Sequence, residues 1–173
     1  MDKEIFYALV IICTITHIVR SVYEILKHKK KLKPDKFSFV VVFINMLILW
    51  TSWFALCRFD VYKIPLIGIV KFLGFLLNSI GLIVFLTALF TIKTLESHEG
   101  DLITKGIYSK IRHPMYLGFI LWLIGFPIFF GAVFSSFLSL IFIANILFWR
   151  YLEEKELNER FTDYFIYKKM TLF

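Results

Sequence analysis

The sequence predicts an all-α integral membrane protein of about five transmembrane helices, the last two forming a C-terminal helical hairpin. Three observations carry this expectation. Of the 173 residues, 59% are hydrophobic and 21 are phenylalanine. A soluble domain has too little interior to hide that much apolar surface, and the mean hydropathy is +0.76. The apolar residues fall in long regions, and the lysines cluster between them.

The first span covers residues 5–26, the second 37–56 and the third 64–92. The region 115–149 is too long for one crossing of about 20 residues. Pro127 and Gly131 lie near its middle, and both residue types favour turns. The expected result is a tight hairpin of helices 114–130 and 132–151. Beyond it, Leu152, Leu157 and Phe161 sit at helical spacing, which predicts that 150–167 extends the last helix out of the membrane.

Charge placement sets an expected topology. The first loop, 27–36, holds Lys27, Lys29, Lys30, Lys31, Lys33 and Lys36 and belongs inside by the positive-inside rule. The opening Met1-Asp2-Lys3-Glu4 is not basic, which puts the N-terminus outside. The segment 93–112 and the tail, with Arg150, Lys155, Arg160, Lys168 and Lys169, then fall on the cytoplasmic side together with the C-terminus. The basic start and small-residue cleavage site of a signal peptide are missing. We expect one membrane domain over 1–173, with three N-terminal spans in 1–92 and the polar loop, hairpin and C-terminal helix in 93–173. The formal charge of +7 belongs to membrane topology and lipid contact, not to nucleic acid.

Chemistry concentrates at one junction. Arg112-His113-Pro114-Met115-Tyr116 stands where an apolar span begins, and Gly106-Ile107-Tyr108 precedes it. Proline suits the first helical position and pushes the preceding residue towards extended backbone, so His113 is expected at the helix N-cap, facing the cytosolic surface. A helix N-terminus beside Arg112 suits a carboxylate or phosphate. The plainer alternative is a basic membrane anchor with a helix cap.

Glu153 and Glu154 follow one hairpin later, and Arg150 is spaced to pair with either. A solvated helix face is the bland reading of these carboxylates. The other is contact with a cationic or hydroxyl-rich ligand. Tyr108 and Tyr116 read as interface anchors first and as walls of a pocket second.

Elsewhere the residues point to packing. Gly74, Asn78 and Gly81 form a small-residue stripe for close helix contact. Arg20 and Lys71 are expected to snorkel, and His17 to be a satisfied core residue. Cys13 and Cys57 are small packing residues. No zinc-type Cys/His spacing and no Gly-rich phosphate loop are present, so no metal is expected.

Asp101-Leu102-Ile103-Thr104-Lys105-Gly106-Ile107-Tyr108, Arg112-His113-Pro114-Met115-Tyr116-Leu117-Gly118 and the tail Glu153-Glu154-Lys155-Glu156-Leu157, with Phe161, Tyr164 and Tyr167, resemble the isoprenylcysteine carboxyl methyltransferase family. This group is similar to the phospholipid methyltransferases. The resemblance covers residues 91–169. It implies a membrane methyltransferase using S-adenosyl-L-methionine in a cytosol-facing pocket, with a lipophilic substrate entering from the bilayer. By motif, Leu102, Ile103, Tyr108, His113, Pro114, Met115, Tyr116, Glu153 and Glu154 would bind the cofactor. His113, Arg150 and Glu153 would be the catalytic set. Trp149 occupies the register of the family's substrate-side arginine, and Arg150 follows it.

The chain departs from the family pattern at Gly100 (with His98 nearby), at Ile107 and at Thr162. It also lacks the longer C-terminal end, which predicts a shortened lid. The resemblance further implies the cytoplasmic membrane in a prokaryote or the endoplasmic reticulum in a eukaryote. It leaves the substrate open among prenylated cysteine, phospholipid amine, thiol and isoprenoid acid, and leaves the oligomeric state open. Two alternatives stand beside it. One is a nicotinamide-dependent (NADPH) reductase of sterol-reductase type, against which Met115 and Phe119 argue. The other is a non-enzymatic membrane subunit.

Overall fold

The computed structural model describes residues 2–32, 35–92 and 102–173. Lys33, Pro34 and the stretch 93–101, with His98, Gly100 and Asp101, lie outside the described residues. The helices are α1 (Asp2–His28), α2 (Lys36–Phe59), α3 (Gly68–Ile92), α4 (Pro114–Phe130), α5 (Val133–Arg160) and α6 (Tyr164–Met170). A single 3-10 turn, Gly106–Ser109, precedes α4. Among the described residues there are no β-strands, only two isolated bridges.

Four helices are long and apolar enough to cross a membrane, and α4 is a shorter apolar helix. At 1.5 Å per residue its 17 residues span roughly 26 Å, near the lower limit for a crossing. The exposed faces suit lipid: Ile69, Phe72, Phe75, Ile83 and Phe90 of α3 all point outward. The chain is an all-α integral membrane protein.

Small residues decide which helices touch. α3 packs along α4 more closely than any other pair. A Cβ on Gly74 would lie 2.6 Å from the Phe129 backbone nitrogen, and one on Gly81 would lie 2.9 Å from the Gly118 carbonyl. Thus the Gly74–Asn78–Gly81 stripe is a packing face. α1 lies against α2 and α5, α2 reaches α4 only lightly, and α2 and α3 barely meet. A groove therefore remains between α2 and the α3–α4 pair.

At the end of the bundle away from His113, the backbone is tied by polar contacts. Ile64 N donates to the Gly131 carbonyl (3.0 Å) and Val133 N to the Tyr62 carbonyl (2.8 Å). The Asp60 carboxylate accepts from Ser135 N (2.7 Å) and Ser135 Oγ (2.8 Å), which caps the start of α5. These contacts explain why α3 begins at Gly68 and not at 64: residues 62–64 spend their hydrogen bonds on the hairpin turn, and Pro65 disfavours helix before it. Pro127 does not break the hairpin, because it lies inside α4. The break is Gly131, whose φ of +66° and approach of 2.3 Å from a would-be Cβ to the Ile64 carbonyl admit only glycine.

The tail differs from expectation in one respect. The helix predicted over 150–167 stops at Arg160, and α6 turns back. The bend at 161–163 buries Tyr164 completely and Tyr167 almost so. A straight helix would leave both rings in water, and burying them offsets the broken helix.

Candidate active site

His113 forms the N-cap of α4, with Pro114 at the first helical position, and its carbonyl accepts from Leu117 N (3.0 Å). The local sequence expectation holds for the backbone. The side chain does not face the surface, however: His113 is 5% exposed. The ring points towards α5, with Nδ1 3.8 Å from Glu153 Oε2 and Nε2 3.4 Å from Glu154 Oε1. It also stacks on Tyr116, centroids 5.7 Å apart and planes 20° apart.

The adjacent glutamates divide their tasks because neighbours on a helix point about 100° apart. Glu154 faces the tail. Its Oε1 meets Arg112 Nε (3.4 Å) and Arg150 Nη2 (3.5 Å), and its Oε2 accepts from Lys168 Nζ (2.7 Å). Glu153 faces a cavity and keeps 38% of its side chain exposed, against 12% for Glu154.

Arg112 is a clamp on the tail. Its Nη1 donates to the Thr171 carbonyl (2.6 Å) and the Lys168 carbonyl (3.0 Å). The backbone joins in: Arg112 N donates to the Leu172 carbonyl (3.0 Å), and Leu172 N to the Lys110 carbonyl (2.8 Å). The Arg150 guanidinium lies over the Phe173 ring at 4.4 Å. Tyr167 donates its hydroxyl to the Tyr108 carbonyl at 2.6 Å. Residues 164–173 thus cover the 3-10 turn and the start of α4. Burial pushes the Tyr108 and Tyr167 phenols above their ordinary range, so both stay neutral. Gly106 lets the turn form: its φ is +58°, and a Cβ there would press on Thr91 at 3.0 Å.

Beside the covered turn lies a cavity of about 430 Å³. Tyr108, Arg112, His113, Pro114, Met115, Tyr116 and Glu153 line its polar part. Its apolar arm follows the groove between α2 and the α3–α4 pair, past Phe43, Met46, Trp50, Phe54, Phe85, Phe119 and Trp122. Tyr108 and Tyr116 are therefore cavity walls and not surface anchors. Of the residues singled out from sequence, Leu102, Ile103, Glu154 and Arg150 are not among the lining. Leu102 and Ile103 are half-buried ahead of the turn, and Glu154 and Arg150 hold the tail.

A family model settles what this arrangement belongs to. The isoprenylcysteine carboxyl methyltransferase family matches residues 66–159, more than half of the chain. The chain belongs to this family. Membership makes it a membrane methyltransferase by type. No curated protein and no solved structure matches the chain. The family match takes in α3, α4 and α5, so the hairpin carrying His113 and Glu153 is its common part. α1, α2 and α6 lie outside it.

Three charged lining residues, Arg20, Glu24 and Lys27 of α1, were not read from the sequence as parts of the site. Arg20 does not snorkel into water, since its side chain is 13% exposed and pairs with Glu24. The available signal was their spacing, which places all three on one face of an otherwise apolar helix. His17 is a core residue as expected, stacked on Phe142 at 3.8 Å with Asn145 on its Nδ1 at 3.1 Å, but it is only half satisfied, because its buried Nε2 has no hydrogen-bond partner among the described residues. No group of metal-ligating side chains occurs among the described residues.

Proposed function

We propose that the protein transfers a methyl group from S-adenosyl-L-methionine to the carboxylate of a lipophilic substrate, such as a prenylated cysteine. One observation carries the reading: a single cavity joins a polar chamber at His113 and Glu153 to an apolar arm between helices. That division suits a water-soluble donor meeting a lipid acceptor.

The residues present fit the cofactor. The chamber combines a partly exposed carboxylate with a stacked His113–Tyr116 wall, and the cavity volume lies within the range of small-molecule sites. S-adenosylmethionine supplies an electrophilic methyl group on a cationic sulfonium. Glu153 provides the negative charge that attracts a cationic or amine-bearing ligand. The faces of Tyr116 and Tyr108 favour a cation by their ring quadrupoles. His113 holds the chamber's shape through its ring stack and its approach to both glutamates.

The acceptor needs no general base, because a carboxylate is already ionised at neutral pH. Its reactivity rises when the apolar walls strip water from it. The arm, walled by Trp50, Phe54 and Trp122, receives the hydrocarbon and fixes the distance of the head group from the chamber. Charge placement supports the reading: by the positive-inside rule the lysine-rich loop favours a cytosolic side for the chamber, where the donor is found.

Calorimetry of S-adenosylhomocysteine binding to the detergent-purified protein tests the reading. Saturable binding weakened in Glu153→Gln and His113→Ala supports it. A folded, monodisperse wild type that binds none of the ligand refutes it.

A further inference from the structure

α1 lies outside the family match, yet it places a charged cluster in the cavity. Arg20, Glu24 and Lys27 recur at helical spacing on the cavity face. The Arg20 and Glu24 side chains are 13% and 5% exposed and form an ion pair. Charges at such depth are costly to desolvate, and in membrane proteins they commonly mark functional sites.

The guanidinium is held, not loose. Arg20 Cζ lies 5.8 Å from the Trp149 ring and 5.4 Å from the Tyr23 ring. Trp149 is fixed in turn: its Nε1 donates to Ser21 Oγ at 2.9 Å, and His17 stacks on it at 5.5 Å. A guanidinium carries five N–H donors in a planar fork, and such a fork grips a carboxylate through parallel hydrogen bonds.

Charge and position agree. Among the cationic side chains of the cavity lining, Lys27 pairs with Glu156 and Arg112 with Glu154, both outside the lining, whereas Arg20–Glu24 is an ion pair with both partners in the lining. Arg112 is committed to the tail. Arg20 and Glu24 line the same cavity as Tyr116 and Glu153, which puts the α1 cluster beside the chamber assigned above to the methyl donor. The apolar arm runs on from the same place.

We propose that Arg20 binds the substrate's carboxylate, and that α1 thereby selects lipids with an acidic head group. This rests on the methyltransferase reading. Glu24 neutralises and aims the guanidinium in the resting cavity. Arg20 is a specificity residue: it holds the acceptor oxygen next to Tyr116 and Glu153 while the tail fills the arm.

The test compares N-acetyl-S-farnesylcysteine with its carboxamide, titrated in detergent with S-adenosylhomocysteine present. Lone removal of Arg20 breaks a buried ion pair and leaves the Glu24 charge less compensated, so the variants are Arg20→Lys and the double neutral Arg20→Gln/Glu24→Gln. The wild type is expected to prefer the acid by roughly ten- to hundredfold, the worth of a charged hydrogen-bond pair. The preference should shrink in Arg20→Lys and vanish in the double variant, while S-adenosylhomocysteine binds all three proteins alike. A double variant that keeps the wild-type preference overturns the proposal. So does one that loses S-adenosylhomocysteine binding, because the pair then supports the fold. A wild type with no preference overturns it while leaving the cofactor site standing. A wild type that fails to bind S-adenosylhomocysteine removes the methyltransferase reading and this proposal together.

Discussion

Tyr167 donates its hydroxyl to the Tyr108 carbonyl at 2.6 Å, across 59 residues of chain. The bond fastens α6 to the 3-10 turn, and both rings are largely buried. Tyr167→Phe removes the donor and leaves a buried carbonyl unsatisfied, at a cost of about 1–3 kcal/mol locally. We expect weaker S-adenosylhomocysteine binding, with faster amide exchange over residues 106–112 and little change in exchange within α3. Unchanged exchange at the turn would show that α6 does not hold it.

Arg112→Lys tests the other fastening. Lysine keeps the charge but cannot donate at once to the Lys168 and Thr171 carbonyls and reach Glu154, as arginine does. The tail should loosen, and limited proteolysis at the bend 161–163 should quicken severalfold. Thr171→Ala, which removes only a 3.3 Å contact to the same guanidinium and one bond to the Tyr167 carbonyl, should have a smaller effect in the same direction.

Glu153→Gln and Glu154→Gln separate two neighbours that sequence alone treats as a pair. Glu153 faces the cavity, whereas Glu154 joins Arg112, Arg150 and Lys168. Glu153→Gln should abolish or greatly weaken S-adenosylhomocysteine binding at unchanged thermal stability. Glu154→Gln should lower the melting temperature and make it less sensitive to salt, because the lost pair with Lys168 is open to solvent on the lysine side. Equal effects from the two variants would contradict the division of roles.

The helical class and the hairpin were legible because apolar runs and charge placement act locally. So was the junction at His113-Pro114, where one proline fixes the cap. The fold-back after Arg160 was not. Leu152, Leu157 and Phe161 continue a helical pattern, and only the burial of Tyr164 and Tyr167 against distant residues makes the turn favourable. The contribution of α1 was hidden for a related reason. Arg20 near a span end reads as snorkelling until Trp149, 129 positions away, is seen beneath it. The opposed faces of Glu153 and Glu154 likewise depend on where the tail lies.

Close contact between α3 and α4 gives a stability prediction with an internal control. Gly74→Ala drives a methyl into backbone at 2.6 and 2.8 Å, and neither helix can yield without the other. The loss should be about 1–3 kcal/mol, the usual cost of overpacking. Gly68→Ala, at the start of the same helix, meets nothing within 4 Å and should melt no earlier than the wild type. The difference between the two variants measures the interface free of helix propensity.

The apolar arm makes the last prediction. Met46 lines it from α2, opposite Phe85 of α3 and Trp122 of α4. Met46→Trp adds a rigid ring to the arm without touching the chamber at His113. If hydrocarbon occupies the arm, affinity for a farnesylated ligand should fall roughly tenfold or more. Binding of S-adenosylhomocysteine should not change. The loss should also depend on chain length: a short S-alkyl cysteine ends before Met46 and should bind the variant and the wild type alike. A uniform loss over all chain lengths would place the hydrocarbon elsewhere, and the groove between α2 and the α3–α4 pair would then be filled by bilayer lipid alone.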